Sequence, residues 1–323
     1  MKSAPQSTRP EGNAWSFTAP APIERLELIR AFAPLAILGF LASRFVHIEH
    51  WITKVGFVVP ERAVSDYRQP LYIPPVPVWL AILVAIVTVL AGLATSFGFR
   101  TRIASGIFTA MLAYLALADR LEAFTVNKLG TAVAFALFVT PSGANYGIDA
   151  WRRLKSDPEA KLPTHVAGGN VRFFQALLAF MYLASGIAKA RGDWLTNPNV
   201  IWSHLHDSYQ TPFTYLLATS VPPAALTALQ YVTLVFELGA PIWLGVRRLR
   251  LIGLAIGVGM HAAIGLLFGP VIWFSLLMIT LLCGAFAPIA WLRAPLERSF
   301  LRHFRATENE EASSRSLSKA APG

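Results

Sequence analysis

Eight stretches of the chain carry few charges: residues 26–42, 78–97, 103–118, 123–139, 171–188, 224–246, 251–268 and 271–291. Each has about the 17 to 25 residues that a helix needs to cross the hydrocarbon core of a bilayer. The pattern predicts an all-α polytopic transmembrane helical bundle of about eight spans. The range is seven to nine, because Asn127 and Lys128 interrupt the fourth run and only Gly269-Pro270 separates the last two.

Three polar segments break the pattern. Residues 44–76 contain HIEHW and lead into Tyr72-Ile73-Pro74-Pro75-Val76-Pro77, which cannot continue a helix because proline lacks a donor and disfavours the helical conformation before it. Residues 190–223 contain Asp193-Trp194, His204-Leu205-His206 and a short apolar run from Pro212 to Val221, expected as an interfacial or re-entrant helix rather than a span. Residues 141–170 form a Gly/Arg-rich linker. One domain is expected over 23–292. Residues 1–22 read as a disordered tail and 293–323 as a basic cytoplasmic tail, since their composition cannot bury apolar surface.

Composition agrees: 54% of residues are hydrophobic, 14% are charged and mean hydropathy is +0.50. The net charge of +10 does not point to nucleic acid, because the basic residues decorate membrane edges rather than one aromatic-rich soluble patch. With the N-terminus in the cytoplasm, nineteen Lys/Arg fall on the cytoplasmic side and seven opposite. That asymmetry predicts a multi-pass protein of the cell membrane with both termini cytoplasmic. Cys283 has no partner in the chain, so no intrachain disulfide forms. No cleavable signal peptide is visible, and the first span is the expected insertion signal. No internal repeat is evident.

Candidate chemistry lies inside the spans. In the fifth, Gln175, Tyr182, Ser185 and Lys189 fall within about 80° of one another, one polar seam on an apolar rod. Lys189 is either a snorkelling interfacial lysine or an amine stripped of solvent that acts as a base near neutral pH. In the sixth, Gln230, Thr233 and Glu237 share a face. A carboxylate inside an apolar helix is a candidate site; the structural alternative is a pair with Arg30 or Lys128, although Glu24 and Glu27 offer Arg30 nearer partners. In the seventh, Gly253, Gly257, His261 and Gly265 step at four-residue intervals, a spacing that lets a neighbouring backbone approach and puts the imidazole in a helix contact. Asn127 and Lys128, adjacent in the fourth, diverge by about 100°. No metal is expected: His47, Glu49 and His50 sit at mixed spacing, and His204 and His206 point apart if extended.

The segments YLASGIAKARGDW, NKLGTAVAFALFVTPSGANYGIDAWRR, FELGAPIW and MHAAIGLLFGPVIWFSLLM resemble the HTTM family, the membrane domain shared with vitamin K-dependent gamma-carboxylase. The resemblance covers residues 24–292. Its strongest motif is small-Gly-aliphatic-x-Lys-x-x-x-Asp-Trp, matched by Ser185, Gly186, Ile187, Lys189, Asp193 and Trp194. The resemblance implies that Lys189 is the base that deprotonates a reduced quinone, with His261, Glu237 and Asn127 at matching positions. Lys128 joins Lys189 and His261 as a candidate catalytic residue, and Tyr182 and Ser185 of the fifth-span seam join Asn127 and Glu237 as candidate cofactor-binding residues. Where the carboxylase has a histidine this chain has Lys128, a departure bearing on the full epoxidation and carboxylation chemistry. The chain ends some 30 residues after the last span, without the carboxylase's luminal region, so carboxylation of protein glutamates is not expected.

The expected protein is therefore a carboxylase-like or quinone-dependent membrane enzyme with an outward-opening polar cavity between the fourth and seventh spans. Its partners are the lipid bilayer and a lipid-soluble quinone; a protein partner is left open. Two other classes compete: a non-catalytic binding or maturation factor for a secreted peptide or membrane partner, and a small-molecule transporter.

Overall fold

The computed structural model describes residues 17–118, 125–206, 210–294 and 296. The long apolar helices are α1 (Glu24–Phe45), α3 (Val78–Phe97), α4 (Thr101–Ala118), α7 (Gly168–Arg191), α10 (Pro223–Gly245), α11 (Arg250–Leu267) and α12 (Ile272–Phe286), with the shorter α5 (Thr125–Val139) packed among them. Short helices cover the loops: α2 (Ile48–Ile52), α6 (Ile148–Ser156), α8 (Val200–Leu205) and α9 (Pro212–Ser220). Seven helices among the described residues are long and apolar enough to cross a membrane, the last running from Gly269 through α12. α5, an apolar helix of 15 residues, rises about 22 Å. That is less than the ~30 Å hydrocarbon core. The fourth run of the sequence starts at residue 123; residues 123 and 124 lie outside the described set, as does most of the expected tail over 293–323.

The Gly269-Pro270 break does separate two helices. α11 stops at Leu267, a 3₁₀ turn spans Gly269–Val271 and α12 follows. α12 ends at Phe286, five residues short of the apolar run, because Ala287 is extended ahead of Pro288. Ala21–Pro22, placed by composition in the N-terminal tail, pairs antiparallel with His165–Val166.

α1 is the hub, packed on α12, α3, α5 and α7. α3, α4 and α5 stand on one side of it; α7, α10, α11 and α12 stand on the other. A buried ion pair locks it at the end of the bundle that carries α6. Arg30 Nε donates to Glu27 at 2.9 Å, and its other nitrogens donate to the carbonyls of Thr95, Ser96 and Tyr146. Glu27 also accepts from the backbone N–H groups of Gly143 and Asn145, both at 3.0 Å. Arg30 is thus taken by a carboxylate of its own helix, as the sequence suggested. Around it α3 ends in a left-handed Gly98, φ +70°, with Phe99 N–H closing onto Ala94 at 2.9 Å. A residue with a side chain would be strained there.

At the opposite end, α9 lies across the foot of α11. Its cap is reciprocal: Thr211 and Thr214 bond one another's backbone N–H groups, and Thr211 Oγ1 donates to Leu266 O at 2.9 Å. Only Thr214 of α9 is buried, while Phe213, Tyr215 and Leu216 are exposed. A short helix with outward aromatics suits the membrane interface better than the interior.

Candidate functional site

α7 and α10 come into close contact at Gly186. A Cβ at that position would stand 2.9 Å from Leu238 N and 3.1 Å from the Glu237 carbonyl carbon, so only glycine lets the two backbones meet here. This contact brings together the polar positions of two helices. Lys189, one turn along from Gly186, forms an ion pair and hydrogen bond with Glu237. The lysine side chain is 25% exposed and the glutamate 6%. Glu237 therefore pairs with Lys189 and not with Arg30 or Lys128. Pro241, four residues on, has no N–H to offer the Glu237 carbonyl, so the helix is loosened at the same level.

The Asp193-Trp194 part of the motif folds back over this pair. The Trp194 ring lies 4.8 Å from Lys189 Nζ, a cation–π contact. Gln230 fixes that turn, donating from Nε2 to the carbonyls of Trp194 at 2.7 Å and Asn197 at 2.8 Å. Asp193 itself is exposed. Thr233, on the same face of α10, is half-buried.

About 10 Å along α7 from Lys189, two turns deeper, Tyr182 meets α11. Its hydroxyl is 2.7 Å from His261 Nε2; which atom donates depends on the imidazole tautomer. Phe236 packs edge-on against Tyr182 and Phe274 edge-on against His261. The glycine ladder of α11 does what its spacing implied: Gly257 lies against Phe236 and Leu282, and Gly265 against Ser275. His261 is buried between α7 and α12. Among the described residues, four buried atoms here lack a hydrogen-bond partner: Glu237 Oε2, Gln230 Oε1, His261 Nδ1 and Ser275 Oγ. They lie along α10, α11 and α12, and such groups are costly in an apolar setting.

The other expected residues are placed differently. Ser185 is half-buried, one turn from Lys189 on the same face of α7. Asn127 is fully buried on α5, with neither amide atom bonded. Its neighbour Lys128 is exposed on the opposite side of that helix, as their divergence requires, so the fold does not bring Lys128 to the Lys189–Glu237 pair. Among the described residues, a space of about 650 Å³ opens at the α9 end between α1, α5 and the start of α12. Phe40, Val126, Pro270, Val271, Trp273 and Phe274 give it apolar walls, with Ser43, Thr125 and Arg44 at its polar positions. Phe274 is the shared wall between this space and His261. The sequence marks Gln230 as part of the polar seam on the sixth span but gives no sign of Phe274, one aromatic among 21 phenylalanines.

The loop histidines are gathered after all. Ligand atoms of His47, Glu49 and His50 lie within 4.8 Å of one another, with both imidazoles exposed. The mixed spacing that argued against a ligand set is accommodated because α2 begins at Ile48 and turns Glu49 between the two rings.

The family model of the HTTM domain matches residues 21–291. No curated protein and no solved structure gives a significant match.

Proposed function

The chain belongs to the HTTM family, and from that premise we propose that it is a membrane-embedded enzyme that removes a proton from a lipid-soluble substrate of hydroquinone type. Lys189 is the base, and Glu237 is the counter-ion that accommodates the charge when the amine takes up the proton. The single observation that carries this reading is the pairing of the motif lysine with a buried glutamate whose second oxygen has no partner. Placed at a helix contact with little water, such a pair can hold one proton more or fewer at small geometric cost, since the atoms are already in contact.

A space walled by Phe40, Trp273 and Phe274 has the volume of a small-molecule site and suits an apolar group. Lys189 and Glu237 do not line it, so a hydroquinone O–H meets Lys189 from the amine's exposed side. When bound, a reduced quinone supplies an acidic O–H and two transferable electrons. Tyr182 orients His261 through their hydrogen bond, leaving Nδ1 as the open position of the imidazole. Trp194 shields the ammonium from water on its exposed side. Phe274, which touches His261 and the cavity, is the residue through which an occupant would press on the polar cluster.

The test is consumption of a short-chain naphthohydroquinone in the presence of oxygen by the detergent-purified protein. The expected result is turnover above background that falls by about 10²- to 10⁴-fold in Lys189→Arg, the usual contribution of a positioned general base. Arginine keeps the positive partner of Glu237 but does not give up its proton. Full activity in Lys189→Arg would overturn the proposal.

A second reading has its own observation. Gly186 and the Lys189–Glu237 pair together also join α7 to α10, which is what a non-catalytic scaffold for a membrane partner would require. Under that reading Lys189→Arg binds its partner as the native chain does and no hydroquinone is consumed by either.

A further inference from the structure

The α6 end of the bundle holds a second, unrelated concentration of unpaired groups. A cavity of about 530 Å³ lies between the start of α4 and the turn that follows α5. Arg100, Arg102 and Arg153 line it, all exposed, and among the described residues none is paired with a carboxylate. Thr101 and Thr140 also line it. Both are at least nine-tenths buried, and the Oγ1 of each has no hydrogen-bond partner.

Two buried hydroxyls without partners would each lose free energy in a site meant to stay empty. Three guanidinium groups that share no carboxylate repel one another unless an anion sits between them. The one acid in the lining, Asp149, accepts from the Thr101 backbone N–H through Oδ2 at 3.1 Å and so holds the turn that carries Thr101. Below the arginines, Ile103 is 60% and Val139 55% exposed. These two side chains continue the cavity into the apolar surface of α4 and α5.

We propose that this is a binding site for the phosphate of an anionic glycerophospholipid. The phosphate oxygens accept from the Thr101 and Thr140 hydroxyls and from the guanidinium groups of Arg102 and Arg153, while an acyl chain runs along Ile103 and Val139. Arginine suits this role because its planar donor fork matches phosphate oxygens. A free inorganic phosphate would satisfy the same donors, but it would leave the adjoining apolar residues unused. The site lies at the edge where the sequence concentrates basic residues, so an anionic leaflet would also be attracted there in general terms. The buried hydroxyls are what turn a charged edge into a defined seat.

The experiment is native mass spectrometry of the full chain in detergent, titrated with phosphatidylglycerol and with phosphatidylcholine of identical acyl chains. The wild-type chain is expected to retain phosphatidylglycerol preferentially. Arg102→Gln with Arg153→Gln is expected to weaken that binding by roughly thirtyfold and leave phosphatidylcholine unchanged. Both arginines are exposed and unpaired, so the fold does not depend on them. Thr140→Val supplies the second readout: the lipid-free melting temperature holds or rises, because an unsatisfied hydroxyl is removed, while the stabilisation conferred by phosphatidylglycerol shrinks. Equal retention of the two lipids by the wild-type chain, or full phosphatidylglycerol binding by both variants, would overturn the proposal. Displacement of the lipid by millimolar inorganic phosphate would assign the seat to a free anion and overturn the lipid occupant.

Discussion

Removing the charge from Lys189 and removing it from Glu237 are not equivalent perturbations. In Lys189→Met, the carboxylate of Glu237 keeps its place at 6% exposure, with Oε2 already lacking a partner and Oε1 now losing its own. Leaving one member of a buried pair uncompensated costs about 3 kcal/mol or more. In Glu237→Gln, the ammonium is still a quarter exposed and lies over Trp194, so water and the ring face replace much of what it loses. The cost there is about 1 kcal/mol, comparable to one net hydrogen bond. The double variant leaves no charge buried and should also cost about 1 kcal/mol. The two single effects therefore overshoot the double by about 3 kcal/mol, a coupling well above that of an exposed pair. The assay is reversible unfolding in mixed detergent micelles followed by circular dichroism, applied to all four corners of the cycle. Additivity within about 0.5 kcal/mol, or a larger penalty for Glu237→Gln than for Lys189→Met, would refute the reasoning.

Gly186→Ala should destabilise the fold by about 1 to 3 kcal/mol, because the new Cβ meets backbone atoms of α10 that cannot rotate away, whereas Gly259→Ala, which meets nothing within 4 Å, should be neutral or mildly stabilising. Comparing the melting temperatures of the two variants checks this, and a similar loss in both would count against the close α7–α10 contact. Arg30→Met should cost about 3 to 5 kcal/mol or abolish folded expression, since Glu27 and the carbonyls of Thr95, Ser96 and Tyr146 lose a shared donor. Size-exclusion yield of a fluorescent fusion reads it out.

Much of the architecture is present in the one-dimensional pattern, because in a bilayer every backbone polar group must be satisfied within its own segment. Apolar length alone therefore yields the helices, and the Gly269-Pro270 break marks where the last two part, whereas the stop ahead of Pro288 went unread. The same logic placed α9 outside the spans and offered Arg30 a carboxylate of its own helix, Glu24 or Glu27, since a partner on one helix needs no knowledge of the fold. Periodicity also separated Asn127 from Lys128.

Which helices face one another is a different kind of information. Gly186 and the α11 glycines announced close approach but not by whom; the pairing of Lys189 with Glu237, 48 residues apart, and of Tyr182 with His261, 79 apart, exists only once α7, α10 and α11 are packed. The space between α1, α5 and α12 exists only because α1 occupies the centre of the bundle, a position no span advertises in its own composition. The seat at Arg102, Thr101 and Thr140 likewise joins the start of one helix to the end of the next, and its unsatisfied hydroxyls become visible only when the neighbours that could have bonded them are known to be elsewhere. Local spacing determines which face of a rod is polar; the packing of rods against each other decides what that polar face meets.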